Sequence, residues 1–105
     1  MKNNDNAIQE MQLLEQNMQN LFMQKQAFQL EATETQNALK ELENSKGDVF
    51  KIVGQLMLNA DRGKMKDELE NKQKILELRL KTIEKQEASL MENIEKLRQE
   101  IVKNK

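Results

Sequence analysis

Residues 49–58 read VFKIVGQLML, and this stretch decides the fold because it interrupts an otherwise helical sequence. All three glycines lie in or near it: Gly47, Gly54 and Gly63. Residues 49–53 and 56–59 are predicted to form two short strands, with Gly54 and Gln55 at the turn, because glycine readily adopts the positive φ of a tight hairpin. A lone hairpin is marginally stable, and its strands are apolar on both faces. Copies from other chains are therefore expected to cover it.

Apolar residues spaced by alternating steps of four and three form a heptad seam on each side of the hairpin. The first seam comprises Ala7, Met11, Leu14, Met18, Leu21, Lys25, Phe28, Ala32, Thr35, Leu39 and Leu42. The second comprises Leu69, Gln73, Leu76, Leu80, Ile83, Glu87, Leu90, Ile94, Leu97 and Ile101. Two similar seams joined by a turn predict a mainly α fold, an antiparallel two-helix coiled-coil hairpin with a short β-hairpin at its centre.

The expected organisation is a single domain, residues 1–105. The first coiled-coil helix is expected at 1–45, the β-hairpin and its turns at 46–63, and the second helix at 64–105. Composition agrees, because strong helix formers dominate and proline is absent. With 37% apolar and 33% charged residues, the chain is too rich in surface to bury a large core alone.

Composition also excludes several classes of function. The 17 basic and 18 acidic residues are mixed along the chain, so no basic stripe is available for nucleic acid or an anionic membrane. The absence of cysteine and histidine removes thiolate chemistry and the commonest metal ligand and proton shuttle. We expect no cofactor, no bound metal and no enzymatic activity.

Two further observations bear on location and catalysis. The first thirty residues lack the apolar segment of a secretory signal, and no apolar run has membrane-spanning length, which favours a cytoplasmic protein. The acidic pairs Asp67 with Glu68 and Glu84 with Glu87 could be considered as catalytic carboxylates. Without a partner base they are interpreted as a solvated helical face.

Two charged residues interrupt the seams, Lys25 in the first and Glu87 in the second. In an antiparallel hairpin the plausible registers place them in adjacent layers, so we predict that they form an ion pair. Polar seam residues commonly fix the register, although a lysine that extends to solvent is the simpler alternative.

The central stretch resembles the hairpin of prefoldin β-type subunits in Val49, Phe50, Lys51, Ile52, Val53 and Gly54, followed by Leu56, Met57 and Leu58. The first helix is similar to that of the archaeal β subunit in Gln24, Lys25, Gln26, Glu34, Thr35, Gln36, Ala38, Leu39, Glu41 and Leu42. The second is similar in Lys81, Thr82, Ile83, Glu84, Lys85, Gln86 and Glu87. The presence of one hairpin favours the β class, because α-type subunits have two.

This resemblance implies a hexamer of two α-type and four β-type subunits whose hairpins join into a β-barrel. The residues expected to assemble it are Val49, Phe50, Ile52, Val53, Gly54, Leu56 and Leu58. The resemblance further implies an ATP-independent chaperone, a holdase that binds unfolded clients at the coiled-coil ends and passes them to a group II chaperonin.

The residues expected to contact clients lie near the two chain ends: Ile8, Met11, Leu13, Leu14, Leu97, Ile101 and Val102. The residues alone leave client contact and ordinary core packing equally open, and the resemblance favours client contact. The alternative function is a structural coiled-coil tether or adaptor that binds one specific helical partner. Neither the α-type partner nor the client preference can be predicted from this sequence.

Overall fold

The computed structural model describes residues 2–103, and the side chains from Asp5 to Lys103. Met1, Asn104 and Lys105, which the predicted domain 1–105 includes, lie outside the described residues. The elements follow in the order helix α1 (Lys2–Asn44), strand β1 (Val49–Val53), strand β2 (Leu56–Ala60) and helix α2 (Arg62–Lys103). The two strands form one antiparallel sheet. The predicted mainly α fold with one central β-hairpin is confirmed.

The described chain divides into two compact units. The end unit contains the residues up to Ala27 together with those from Leu80 onward, and the hairpin unit contains Phe28–Arg79. Each unit pairs a segment of α1 with a segment of α2, and the hairpin unit also holds the sheet.

The two heptad seams account for the core of both units. Every predicted seam residue is buried or half-buried, whereas every other α1 residue from Asp5 to Asn44 is exposed. The most deeply buried apolar side chain is Leu76, at 1% exposure, in the hairpin unit. In the end unit the core residues are Ile83, Ile94 and Leu97. A heptad repeat keeps one stripe of each helix facing its partner, which is why burial follows the repeat.

Helix α2 begins at Arg62, two residues before the predicted Lys64. The Asp61 side chain caps the helix, because its Oδ1 accepts a hydrogen bond from the Gly63 amide at 3.0 Å. The Asp61 carbonyl accepts the first helical bond, from Met65, at 2.9 Å. Strand β2 also extends one residue further than predicted, to Ala60, which pairs with Val49.

Candidate functional site

The hairpin has a two-residue turn and a fixed register. Val53 pairs with Leu56 across the turn, and Ile52 pairs with Met57. Gly54 has φ +61°, and no other described residue of the turn has a positive φ, which corresponds to a type II′ turn with glycine at its first central position. The predicted role of Gly54 at the turn is confirmed.

Side chains alternate between the two faces of the sheet. One face, which we call the Lys51 face, carries Val49, Lys51, Val53, Leu56, Leu58 and Ala60. The other, the Phe50 face, carries Phe50, Ile52, Met57 and Asn59. Large apolar side chains are exposed on both, from 49% for Leu58 to 70% for Ile52. The described chain leaves most of both faces uncovered, with only Val49 and Ala60 half-buried, so six large apolar side chains of the sheet are available to a partner.

The structure adds one residue to those predicted for the hairpin surface. Met57 is 67% exposed and pairs with Ile52, at the turn end of the Phe50 face. The alternation of side chains along residues 56–58 was the signal that could have identified it, because Met57 must face away from Leu56 and Leu58.

Arg62 connects the two helices at the base of the hairpin. Its guanidinium donates hydrogen bonds to the carbonyl oxygen of Leu42 and, at 2.9 Å, to that of Gly47. It also donates to the Ser45 hydroxyl at 3.3 Å. Carbonyl groups at the end of a helix lack helical partners, and Arg62 supplies donors to the last turn of α1. The same residues line a groove of about 470 Å³.

A second polar contact links the sheet to α2. Lys51 Nζ lies 3.3 Å from Glu68 Oε2, and both side chains are more than half exposed. Such an exposed pair contributes little stability. Glu68 therefore has an ion-pair partner and is exposed to solvent. Both observations agree with its interpretation as part of a solvated helical face.

The structure brings Lys25 and Glu87 together in the end unit, with Lys25 Nζ 3.1 Å from Glu87 Oε1. The two side chains are 27% and 20% exposed, so the pair is partly withdrawn from water. The interpretation of Glu87 as part of a solvated helical face is therefore wrong, because its carboxylate is half-buried in the seam against Lys25, whereas Glu84 is exposed. The effect of the ion pair on register remains a prediction.

The residues predicted to contact clients divide into three groups in the end unit. Ile8, Leu13 and Val102 are exposed, by 45%, 57% and 63%. Met11, Leu14 and Ile101 are half-buried, and Leu97 is buried at 7% exposure. Leu14 and Leu97 line one groove of about 250 Å³, so the structure brings these two together. Leu97 would reach a client only where the helix ends separate.

Three large exposed apolar residues of the end unit lie outside the predicted client site: Met23, which is off the seam and 66% exposed, and two that follow apolar seam positions. Phe22 on α1 is 52% exposed and Met91 on α2 is 61% exposed. Both follow a seam residue directly, Leu21 and Leu90, and so lie on the flank of the coiled coil. An apolar residue beside an apolar seam position was the available signal.

The described residues contain no group of three or more acidic side chains placed to hold a metal ion. Between residues 2 and 103, neither helix is apolar enough over a sufficient length to cross a membrane.

The sequence pattern of the family described as "Prefoldin subunit" matches residues 5–104. The prefoldin subunit beta of Methanothrix thermoacetophila is 37% identical over 98 residues, which cover 91% of this chain and 82% of that protein. The prefoldin subunit beta of Thermococcus onnurineus is 42% identical over 89 residues, which cover 83% of this chain and 77% of that protein.

Two solved structures are also similar. The crystal structure of the prefoldin beta subunit from Thermococcus strain KS-1 has a TM-score of 0.88 and 33% identity, and the match covers 96% of this chain and 90% of that chain. The beta2 subunit from the same strain, at 16% identity and a TM-score of 0.73, shares the fold. Since the family pattern and the β-subunit similarity each span most of the sequence, this chain belongs to the prefoldin family, in its β class.

Proposed function

We propose that this chain is an ATP-independent holdase subunit, which captures non-native proteins at the coiled-coil ends and delivers them to a group II chaperonin. Its family is one of chaperones without catalytic activity. The observation that carries the proposal is that twelve of the fifteen large apolar side chains exposed among the described residues lie on the hairpin or in the end unit, whereas Leu30, Ile75 and Leu78 lie singly on the helices between. Surfaces of this kind on a small protein indicate interaction sites.

The hairpin is proposed to assemble the complex. Two α-type and four β-type subunits would join their hairpins into a β-barrel, covering Val49, Phe50, Ile52, Val53, Leu56 and Leu58, with Gly54 at the turn. Pairing of strand edges and burial of apolar side chains would both favour this assembly. We propose residues 1–105 as one prefoldin-like domain in the cytoplasm, where handover to such a chaperonin would take place.

The end unit is proposed to hold clients through Ile8, Met11, Leu13, Leu14, Leu97, Ile101 and Val102. Apolar contact is non-directional, so these residues would not need to recognise a client sequence. One end offers a small patch and would bind weakly. Several ends on one client would raise the effective concentration enough for capture.

Deletion of residues 1–14 together with 97–105 tests this proposal. The truncated chain should still assemble, because the hairpin is intact, and should no longer suppress aggregation of a chemically denatured protein. Complex mass and light scattering of the denatured client are the two measurements. If the truncated complex protects as well as the full-length one, the ends are not the client site. A defined complex with one helical partner would instead support the tether.

A further inference from the structure

The two helices of the end unit expose surfaces of opposite chemical character. On α1, seventeen described residues between Asp5 and Ala27 are exposed, of which nine are amides and three are charged. On α2, seventeen residues between Lys81 and Lys103 are exposed, of which nine are charged and three are amides. The amides on α1 are Asn6, Gln9, Gln12, Gln16, Asn17, Gln19, Asn20, Gln24 and Gln26. The outer surface of α1 is therefore polar with little charge.

Large apolar side chains are also more frequent on the α1 surface. It exposes Ile8, Leu13, Phe22 and Met23, with Met23 at 66%. The corresponding part of α2 exposes Met91 and Val102 among its charged residues. Ile8 and Met23 are fifteen residues apart, or about 22 Å along a helix, so this apolar character continues well beyond the first turns of α1.

The mixture of amides and apolar side chains on α1 matches what a non-native polypeptide presents. Such a chain exposes apolar side chains together with backbone N–H and C=O groups that need hydrogen-bond partners. A glutamine or asparagine amide can both donate to and accept from the backbone, and carries no charge. The charged groups on α2 are strongly hydrated, and displacing their water with a client would be unfavourable in free energy.

The spacing of these apolar residues fits an irregular chain better than a helix. A docked helix requires anchors that meet a continuous stripe at intervals of three and four residues. Within the end unit, the large exposed apolar residues of α1 are separated by five, nine and one residues. They therefore form no such stripe, and an extended polypeptide can meet them in many arrangements.

We propose that the outer surface of α1 from Ile8 to Gln26 is the surface along which a non-native polypeptide is held, and that the outer surface of α2 from Lys81 to Glu100 stays hydrated. This inference rests on the proposed holdase function and leaves to α2 only the contacts already proposed near its end, at Leu97, Ile101 and Val102. It also adds Phe22 and Met23 to the client-binding residues.

A matched pair of triple variants tests the proposal in the assembled complex with full-length chains. One variant carries Gln12→Glu, Gln19→Glu and Gln26→Glu on α1, and the other carries Gln86→Glu, Asn93→Asp and Gln99→Glu on α2. Each adds three negative charges to exposed positions of the end unit. Any nonspecific electrostatic repulsion of a client is therefore the same in the two variants. Circular dichroism and complex mass establish that each variant folds and assembles.

The measured quantity is the concentration of complex that halves the aggregation of a denatured protein. We expect the α1 variant to require at least roughly threefold more complex, because losses at several ends multiply, and the α2 variant to stay within about twofold of the unmodified complex. Equal shifts for the two variants would overturn the assignment to α1.

Photo-crosslinking gives an independent readout that does not depend on how strongly charge weakens binding. A benzoylphenylalanine introduced at Met23 or at Met91 places the same probe at sites of similar exposure, 66% and 61%, on the two helices. Adducts with the denatured client should form mainly at position 23. Equal adducts at both positions, with normal protection by the complex, would refute the α1 surface and leave the holdase function standing. If the unmodified complex gives no protection, the holdase function fails and the inference fails with it.

Discussion

At the scale of single residues, the polar side chains of the seam differ in whether they have a hydrogen-bond or ion-pair partner. Thr35, at 3% exposure, donates its hydroxyl to the Glu31 carbonyl at 2.7 Å. Lys25 has Glu87 as its partner. The Oε1 atom of Gln73 is buried without a hydrogen-bond partner among the described residues. A buried acceptor in this state costs free energy, so Gln73 is expected to be the least favourable polar residue of the seam.

The Lys25–Glu87 ion pair is predicted to stabilise the end unit through a pairwise interaction. Replacing either residue by Leu leaves the other charge half-buried and unpaired, whereas replacing both removes the penalty. A double-mutant cycle, measured by urea unfolding of the assembled protein followed by circular dichroism, should give a coupling free energy of about 1 kcal/mol.

The exposed pair Lys96–Glu92 provides the control for this cycle. Its two side chains are 72% and 68% exposed, and their charged atoms lie 3.4 Å apart. Its coupling should be no more than about 0.5 kcal/mol, because water screens it. A Lys25–Glu87 coupling indistinguishable from zero would mean that Lys25 only extends to solvent and does not fix the register.

At the scale of secondary-structure elements, the seams were predictable residue by residue because packing in a coiled coil depends on a single period. The strands were predictable because Gly54 limits where the turn can form. Both predictions use short-range information, spacing in one case and a preferred backbone conformation in the other.

The start of α2 and the full extent of the exposed surfaces were harder to predict. Gly63 suggests a break in the helix, yet the Asp61 cap starts the helix before it. The donation by Arg62 to Leu42 spans 20 positions in sequence, and only the folded backbone brings them together. Phe22 and Met91 sit beside the seam, where spacing alone does not separate exposed from buried side chains.

Arg62 is predicted to hold the end of α1 and the start of α2 together. Arg62→Met removes donors from two carbonyl oxygens and should lower the free energy of unfolding by about 1 to 2 kcal/mol. Arg62→Lys should recover less than half of this loss, because an ammonium group lacks the planar fork of donors. Thermal and urea unfolding of the assembled protein are the measurements.

Lys64 offers a matched control two residues further along α2, at an exposed position. Lys64→Met removes the same charge and should change the free energy of unfolding by less than about 0.5 kcal/mol. If Arg62→Met and Lys64→Met behave alike, the hydrogen bonds to Leu42 and Gly47 do not contribute to stability.

At the scale of the whole molecule, the two proposed activities belong to different compact units. The hairpin belongs to the unit Phe28–Arg79, and the residues proposed to bind clients belong to the other. Each helix buries its seam within both units. A change confined to the exposed sheet should therefore leave the coiled-coil core unaffected, so assembly can be disrupted separately from folding.

The last prediction uses this separation. Phe50 and Ile52 lie on one face of the sheet and are 51% and 70% exposed, so replacing both by Asp removes no core contact of the coiled coil. Helical circular dichroism should persist. Burial of each large apolar side chain contributes about 1.5 to 3 kcal/mol, and a buried carboxylate would add a desolvation cost, so the complex with the α-type subunit should dissociate. Gln55→Asp, which adds charge at the turn between the strands, should leave the complex assembled. An unchanged mass for the Phe50 and Ile52 variant would show that the hairpin does not build the barrel.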